Sequence, residues 1–145
     1  MSFRAMDILS SGLQAQRLRL EVTAENLANA HTTRTPEGGP YLRKDPVFEA
    51  VLADAGTEGA GLDGSGPGLH KVQVADVVRD SSNVVTVHDP SHPDADPVTG
   101  NVRLPNVNVV HEMVNMMTAS RSYEANATAF ETLKQMANKA IDLGR

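Results

Sequence analysis

VNVVHEMVNMMTASRSYEANATAFETLKQMANKAIDLGR, residues 107–145, holds no proline and a single glycine, Gly144. Val109, Met116, Tyr123, Phe130 and Ala137 recur at every seventh position, and Met113, Ser120, Ala127 and Ile141 hold the complementary sites. That spacing predicts a long helix with a coiled-coil seam. Leu133 and Ala140 widen the apolar stripe, while Arg121, Lys134, Lys139 and Arg145 balance Glu112, Glu124, Glu131 and Asp142. The cluster Met113, Met116 and Met117 could suggest a promiscuous binding groove, but at helical spacing it reads as seam packing.

The opposite end carries the same signal. Met6, Leu13, Leu20 and Leu27 step by seven, with Leu9, Gln16 and Thr23 between them. Residues 1–30 therefore read as one helix, about 40 Å long at 1.5 Å per residue. Arg17 and Glu21 form an i,i+4 pair, and Gly12 is its weak point. So narrow a stripe needs a partner, and two heptad helices in one chain most simply pair with each other. The expected fold class is α+β, with the terminal helices paired as an antiparallel coiled coil beside a small β-rich central module. The expected divisions are 1–30, 31–106 and 107–145.

The middle differs in kind. Residues 32–45 are turn-rich, and residues 47–53 fit a short strand or a helix equally. Residues 54–68 (DAGTEGAGLDGSGPG) are expected from composition to be a flexible Gly-rich loop. KVQVADVV (71–78) alternates, NVVTVHD (83–89) follows Asp80-Ser81-Ser82, and the two together predict a β-hairpin. DPSHPDADPVTG (89–100) is a Pro- and Asp-rich loop, and NVRLP (101–105) is a last short strand.

Composition narrows the function classes. Of 145 residues 40% are hydrophobic but only 3% aromatic, so Ala, Val, Leu and Met must do most of the packing. Such subunits complete their cores against neighbours. The net charge of −5, without a basic run, gives no nucleic-acid footprint. No cysteine is present, which removes disulfides, thiolate metal sites and cysteine catalysis together. The N-terminus lacks the apolar core of a cleaved signal peptide. No segment reaches the roughly 18 apolar residues of a membrane span, so direct membrane insertion is not expected.

The candidate chemistry is thin. Gly59, Gly61 and Gly64 match G-x-G-x-x-G by spacing, but Ser65-Gly66-Pro67-Gly68 cannot open the helix that holds a pyrophosphate. His88, Asp89, His92, Asp94 and Asp96 could offer imidazoles and carboxylates to a divalent ion. Pro90, Pro93 and Pro97 stiffen that run, which favours solvated turn residues; whether it binds a metal stays open. No Ser sits in a G-x-S-x-G context. No cofactor and no catalysis are expected.

Two segments go beyond pattern. ENLANAHTT (25–33), closing the first helix, resembles the signature of the bacterial flagellar rod and hook family. PNVNVVHEMVNMM (105–117), followed by ASRSYEAN (119–126), resembles the same family more specifically, and PYLRKDPVFEAVL (40–52) fits it as well. The short length favours a rod subunit over the larger hook and distal-rod relatives. The resemblance implies a non-enzymatic subunit of a rod crossing the periplasm. It further implies export through the flagellar type III apparatus, with copies of itself and other rod proteins as partners. Family positions carry over to Asn26, Leu27, Ala28 and Asn29. In the second helix they carry over to Glu112, Met113, Val114, Ser120, Arg121, Tyr123, Glu124, Ala125 and Asn126. With Leu13, Leu20, Met116 and Phe130 of the seams, these are the expected assembly residues. The alternative is a cytoplasmic helical adaptor or chaperone of a secretion system, which would be a discrete folded oligomer at any concentration.

Overall fold

The computed structural model describes residues 2–52 and 69–143. The Gly-rich stretch, with Gly59, Gly61 and Gly64, lies outside the described residues. In chain order the elements are α1 (Ser2–Ala28), β1 (Lys44–Leu52), β2 (His70–Arg79), β3 (Val85–His88), β4 (Asn101–Leu104) and α2 (Val109–Leu143). The architecture is α+β, two helices with two small antiparallel sheets. Among the described residues no helix is long and apolar enough to cross a membrane.

α1 and α2 lie against each other, and the β1–β2 ribbon lies against α1. Asn26, near the end of α1, meets Glu112 in the first turn of α2. Far up α1, a Cβ on Gly12 would stand 3.2 Å from the Asn126 side chain. The deepest apolar side chains of the pair are small, Ala15, Val22 and Ala119. Small residues let two helix backbones approach closely, which moves larger neighbours to the flanks. Leu13, Leu20 and Leu27 are accordingly half-buried. The heptad reading is corrected here: on α1 the innermost row runs through Ala15, Val22 and Asn26 instead of the leucines. On α2 it runs through Glu112 and Ala119, and Met113, placed in the seam by spacing, is 46% exposed.

The predicted hairpin of 71–78 with 83–89 does not form. β2 pairs with β1 in a ladder from Lys44↔Arg79 to Leu52↔His70, with an irregularity between Val47 and Phe48. β3 pairs instead with β4, from Val85↔Leu104 to His88↔Asn101. Residues 47–52 of the 47–53 run, ambiguous by periodicity, are thus a strand, and the strand begins earlier, at Lys44 inside the expected turn-rich stretch. Two causes are visible. β1 offers β2 a ladder more than twice as long as β3 could. The link between β2 and β3 is also held open: the Asp80 carboxylate accepts from Ser82 N–H at 2.8 Å and Ser82 Oγ–H at 2.6 Å. The Asn106 amide then donates to the Asp80 and Ser82 carbonyls, both at 2.8 Å. Asn106 thereby ties the Asp80–Ser82 link to the segment before α2.

The loop after β3 is organised by the same side-chain device. Asp89 accepts from Ser91 N–H at 3.1 Å and Oγ–H at 2.6 Å, and Asp96 accepts from Val98 N–H at 2.9 Å. Such Asx turns stand in for backbone turns. These bonds hold the Asp80, Asp89 and Asp96 carboxyls below the usual carboxylate range. Asp94 accepts from Thr33 Oγ–H at 2.7 Å and lies 3.8 Å from Arg34, docking this loop on the turn after α1. Gly100 closes the loop at φ 65, where a Cβ would stand 2.9 Å from the His88 ring.

Candidate functional site

The polar junction where α1, β1 and α2 meet holds Asn26 and Glu112, the largest fully buried side chains among the described residues. Asn26 is 1% exposed in the last turns of α1. Its Nδ2 donates to the Lys44 carbonyl at 2.8 Å and to Glu112 Oε2 at 3.2 Å. Its Oδ1 accepts from Tyr41 Oη–H and from Lys44 N–H, each at 2.9 Å. A side-chain amide has two donors and two acceptor lone pairs, and all four are used. Asn26 meets Lys44 as a neighbouring strand would, binding both its N–H and its carbonyl.

Glu112 brings a charge into this junction at 1% exposure. Arg43 neutralises it, with Nε donating to Glu112 Oε1 at 2.7 Å and Nη1 lying 2.8 Å from Asp45. Burial penalises the Arg43 charge, but the bond to Glu112 and the nearby Asp45 outweigh it and raise the guanidinium's pKa. Tyr41 is pushed up to about 12, first by burial and then by the Glu25 and Glu112 charges. Lys44 pairs with Glu25 and lies 5.8 Å from the Tyr41 ring centre.

The residues before α2 extend the junction. Asn106 Oδ1 accepts from Arg43 N–H at 2.9 Å, opposite the two carbonyls that its Nδ2 clamps. Asn108 caps α2, its Oδ1 accepting from Val110 N–H at 3.0 Å and His111 N–H at 3.2 Å. Asn is among the preferred residues at that position. The run PNVNVVHE thus supplies a clamp, a cap and a buried counter-charge in three polar residues.

Residues 6–34 match the family described as flagella basal body rod protein, and residues 98–143 match that described as flagellar basal body rod FlgEFG protein C-terminal. The chain is 41% identical to the flagellar basal-body rod protein FlgC of Borreliella burgdorferi, covering 96% of this chain and 95% of that one. It is 42% identical to FlgC of Escherichia coli O6:H1, with the same coverage. With FlgC of Bacillus subtilis it shares 36% identity over 99% of both chains. The chain belongs to the FlgC family of flagellar basal-body rod proteins. Its role is structural, and it is not an enzyme.

On this FlgC-family scaffold the expected assembly residues divide by burial. Asn26 sits in the junction. Glu112 joins it there; Leu13, Leu20, Leu27, Asn29, Met116, Ser120, Asn126 and Phe130 are half-buried, and Ala28, Met113, Val114, Arg121, Tyr123, Glu124 and Ala125 are exposed. Asn29 bonds only locally, to the Glu25 carbonyl at 2.9 Å and to Thr32 at 3.1 Å. Four members of the junction, Tyr41, Arg43, Asn106 and Asn108, were not legible as site residues. For Asn108 a signal existed, an Asn directly before an uninterrupted helical pattern. The other three lie in loops or at an element's edge, with no periodicity to mark them.

Proposed function

We propose that the chain is a polymerising subunit of the proximal rod, exported by the flagellar type III apparatus and built into the part of the drive shaft that crosses the periplasm. On this reading residues 1–30 and 107–145 form the shaft as an antiparallel coiled coil, with 31–106 as a lateral β-rich module. The contacts Asn26–Glu112 and Gly12–Asn126 support the antiparallel sense, since one residue number falls as its partner's rises by the same step. The observation that carries the proposal is the junction itself. It locks both helices and the ribbon together by saturated hydrogen bonds, as torque transmission requires, while Val110, Met113, Val114 and Met117 on α2 stay exposed for neighbours.

The test is recovery of the epitope-tagged chain in purified hook–basal bodies from a normally motile bacterium deleted for its own copy and complemented with the tagged chain. Leu20→Asp should abolish that recovery, because a carboxylate against the flank of a packed helix pair is costly to desolvate. Retention of wild type in the cytoplasm as a discrete oligomer would sink the rod reading and favour the adaptor.

A further inference from the structure

β3 and β4 stand apart from the other elements. Among the described residues neither strand comes within 8 Å, Cα to Cα, of α1, α2, β1 or β2. Their bonding is instead to the loop that joins them. Asp89 N–H donates to the Gly100 carbonyl at 2.9 Å, Asp96 N–H to the Asn101 carbonyl at 3.0 Å, and Gly100 N–H to the Asp96 carbonyl at 2.8 Å. His88 Nδ1 lies 3.1 Å from Asn101 Oδ1, and His92 Nδ1 accepts from Asp94 N–H at 3.1 Å. Residues 84–104 are tied to one another far more than to the rest of the chain.

The outward ties are few, and they sit at opposite ends of the β3–β4 ladder. At the Val85↔Leu104 end the chain enters and leaves the sheet, and Asn106 gathers both links. Its Nδ2 donates to the Asp80 and Ser82 carbonyls, and its Oδ1 accepts from Arg43 N–H. Asn83, in the entering link, holds φ 57, a conformation Asn tolerates and most residues avoid. Beyond the His88↔Asn101 end, Asp94 accepts from Thr33 Oγ–H at 2.7 Å and lies 3.8 Å from Arg34. Among the described residues, Asp94 is the only member of 84–104 with a hydrogen bond or ion pair to the rest of the chain. The four-pair ladder sets the two attachments about 10 Å apart.

We propose that residues 84–104 form a hinged tab, pivoting at the Asn106 clamp and held down by a single latch, Asp94 on Thr33. A few residues at the ends of elements suffice to absorb such a rotation. Arg34 adds little to the latch, because its side chain is 79% exposed and an ion pair there is screened by water. Val102, 2% exposed, is the one buried side chain of the tab. The latched position therefore dominates, and the released one is a minor population. Thr33 closes the run ENLANAHTT, so that run anchors the helix pair through Asn26 and latches the tab through its last residue. Release leaves the junction shut, since the Arg43 guanidinium stays on Glu112 while its N–H stays on Asn106. The sheet can thus change its angle to the helix pair without parting α1 from α2.

The chain has no cysteine, so Gln73→Cys on β2 and Thr86→Cys on β3, both at exposed positions, can carry a pair of spin labels. Double electron–electron resonance on the purified full-length chain then reads the distance from ribbon to tab. The labelled parent should give one main distance and a minor second one. Thr33→Val leaves the loop 89–100 unaltered and should raise the ratio of second to main population roughly tenfold, as loss of one hydrogen bond to a carboxylate implies. Asp94→Ala should do the same from the other side of the latch. Amide exchange across Val85–His88 should stay at the parent rate in both variants, because the tab turns as one body. An unchanged distance distribution in both variants would overturn the latch. Faster exchange across Val85–His88 would overturn the tab, since the sheet would then be unfolding and not turning.

Discussion

Asn26 and Glu112, 86 residues apart in sequence, share a buried hydrogen bond of 3.2 Å that joins the end of α1 to the start of α2. Asn26→Ala would strand the Tyr41 hydroxyl, the Lys44 peptide and one Glu112 oxygen at once. Unmet buried groups cost about 1–3 kcal/mol apiece, partly relieved by entering water, so a loss of about 3 kcal/mol is expected. Asn29→Ala, in the same motif but bonded only locally, should cost about 0.5 kcal/mol or less. Urea unfolding of both variants measures the difference. Equal midpoints would mean that the junction is not the anchor.

Glu112→Leu should be worse than its size change suggests. It leaves the Arg43 guanidinium, 20% exposed, with Asp45 as its remaining partner. Removing one member of a buried pair typically costs about 3–5 kcal/mol. Arg43→Met added to Glu112→Leu should recover part of that loss. A double-mutant cycle gives the coupling directly, and strict additivity would show that the two side chains do not act as a pair.

Tyr41 makes stability depend on pH in the alkaline range. Its folded pKa is raised from 10.0 to about 12, so between these values the unfolded chain has released the proton and the folded chain has not. The contribution is complete below pH 10 and falls as pH rises toward 12. Tyr41→Phe removes the titrating group, and the decline in urea midpoint between pH 9.5 and 11.5 should be shallower in that variant. Parallel slopes in the two proteins would place the phenol outside the junction.

Gly100→Ala tests the loop geometry. The site combines φ 65 with a Cβ only 2.9 Å from His88 and 3.1 Å from Pro90, whereas Gly38 has φ 91 and nothing within 4 Å of its Cβ. Gly38→Ala carries backbone strain of about 1 kcal/mol. Gly100→Ala adds a clash, and about 2 kcal/mol in all is expected. Amide hydrogen exchange at Val85–His88 should rise for Gly100→Ala and stay unchanged for Gly38→Ala.

The sequence by itself determined the two long helices, because heptad periodicity and the lack of prolines are local properties of a short window. It determined the family too, through ENLANAHTT and PNVNVVHEMVNMM, and a strand near 71–78 through alternation. Tertiary structure alone decided that β2 joins β1 and leaves β3 for β4, since alternation is the same whichever partner a strand takes. It also decided that Ala15, Val22 and Asn26 are the buried residues of α1, while Leu13, Leu20 and Leu27 are only half-buried. A heptad marks an apolar stripe, but close approach of two backbones favours the small residues, which here lie beside it. The junction was least legible of all. Asn26, Tyr41, Arg43, Asn106 and Glu112 act through directional bonds spanning 15 to 86 residues of sequence, and a directional bond leaves no period behind.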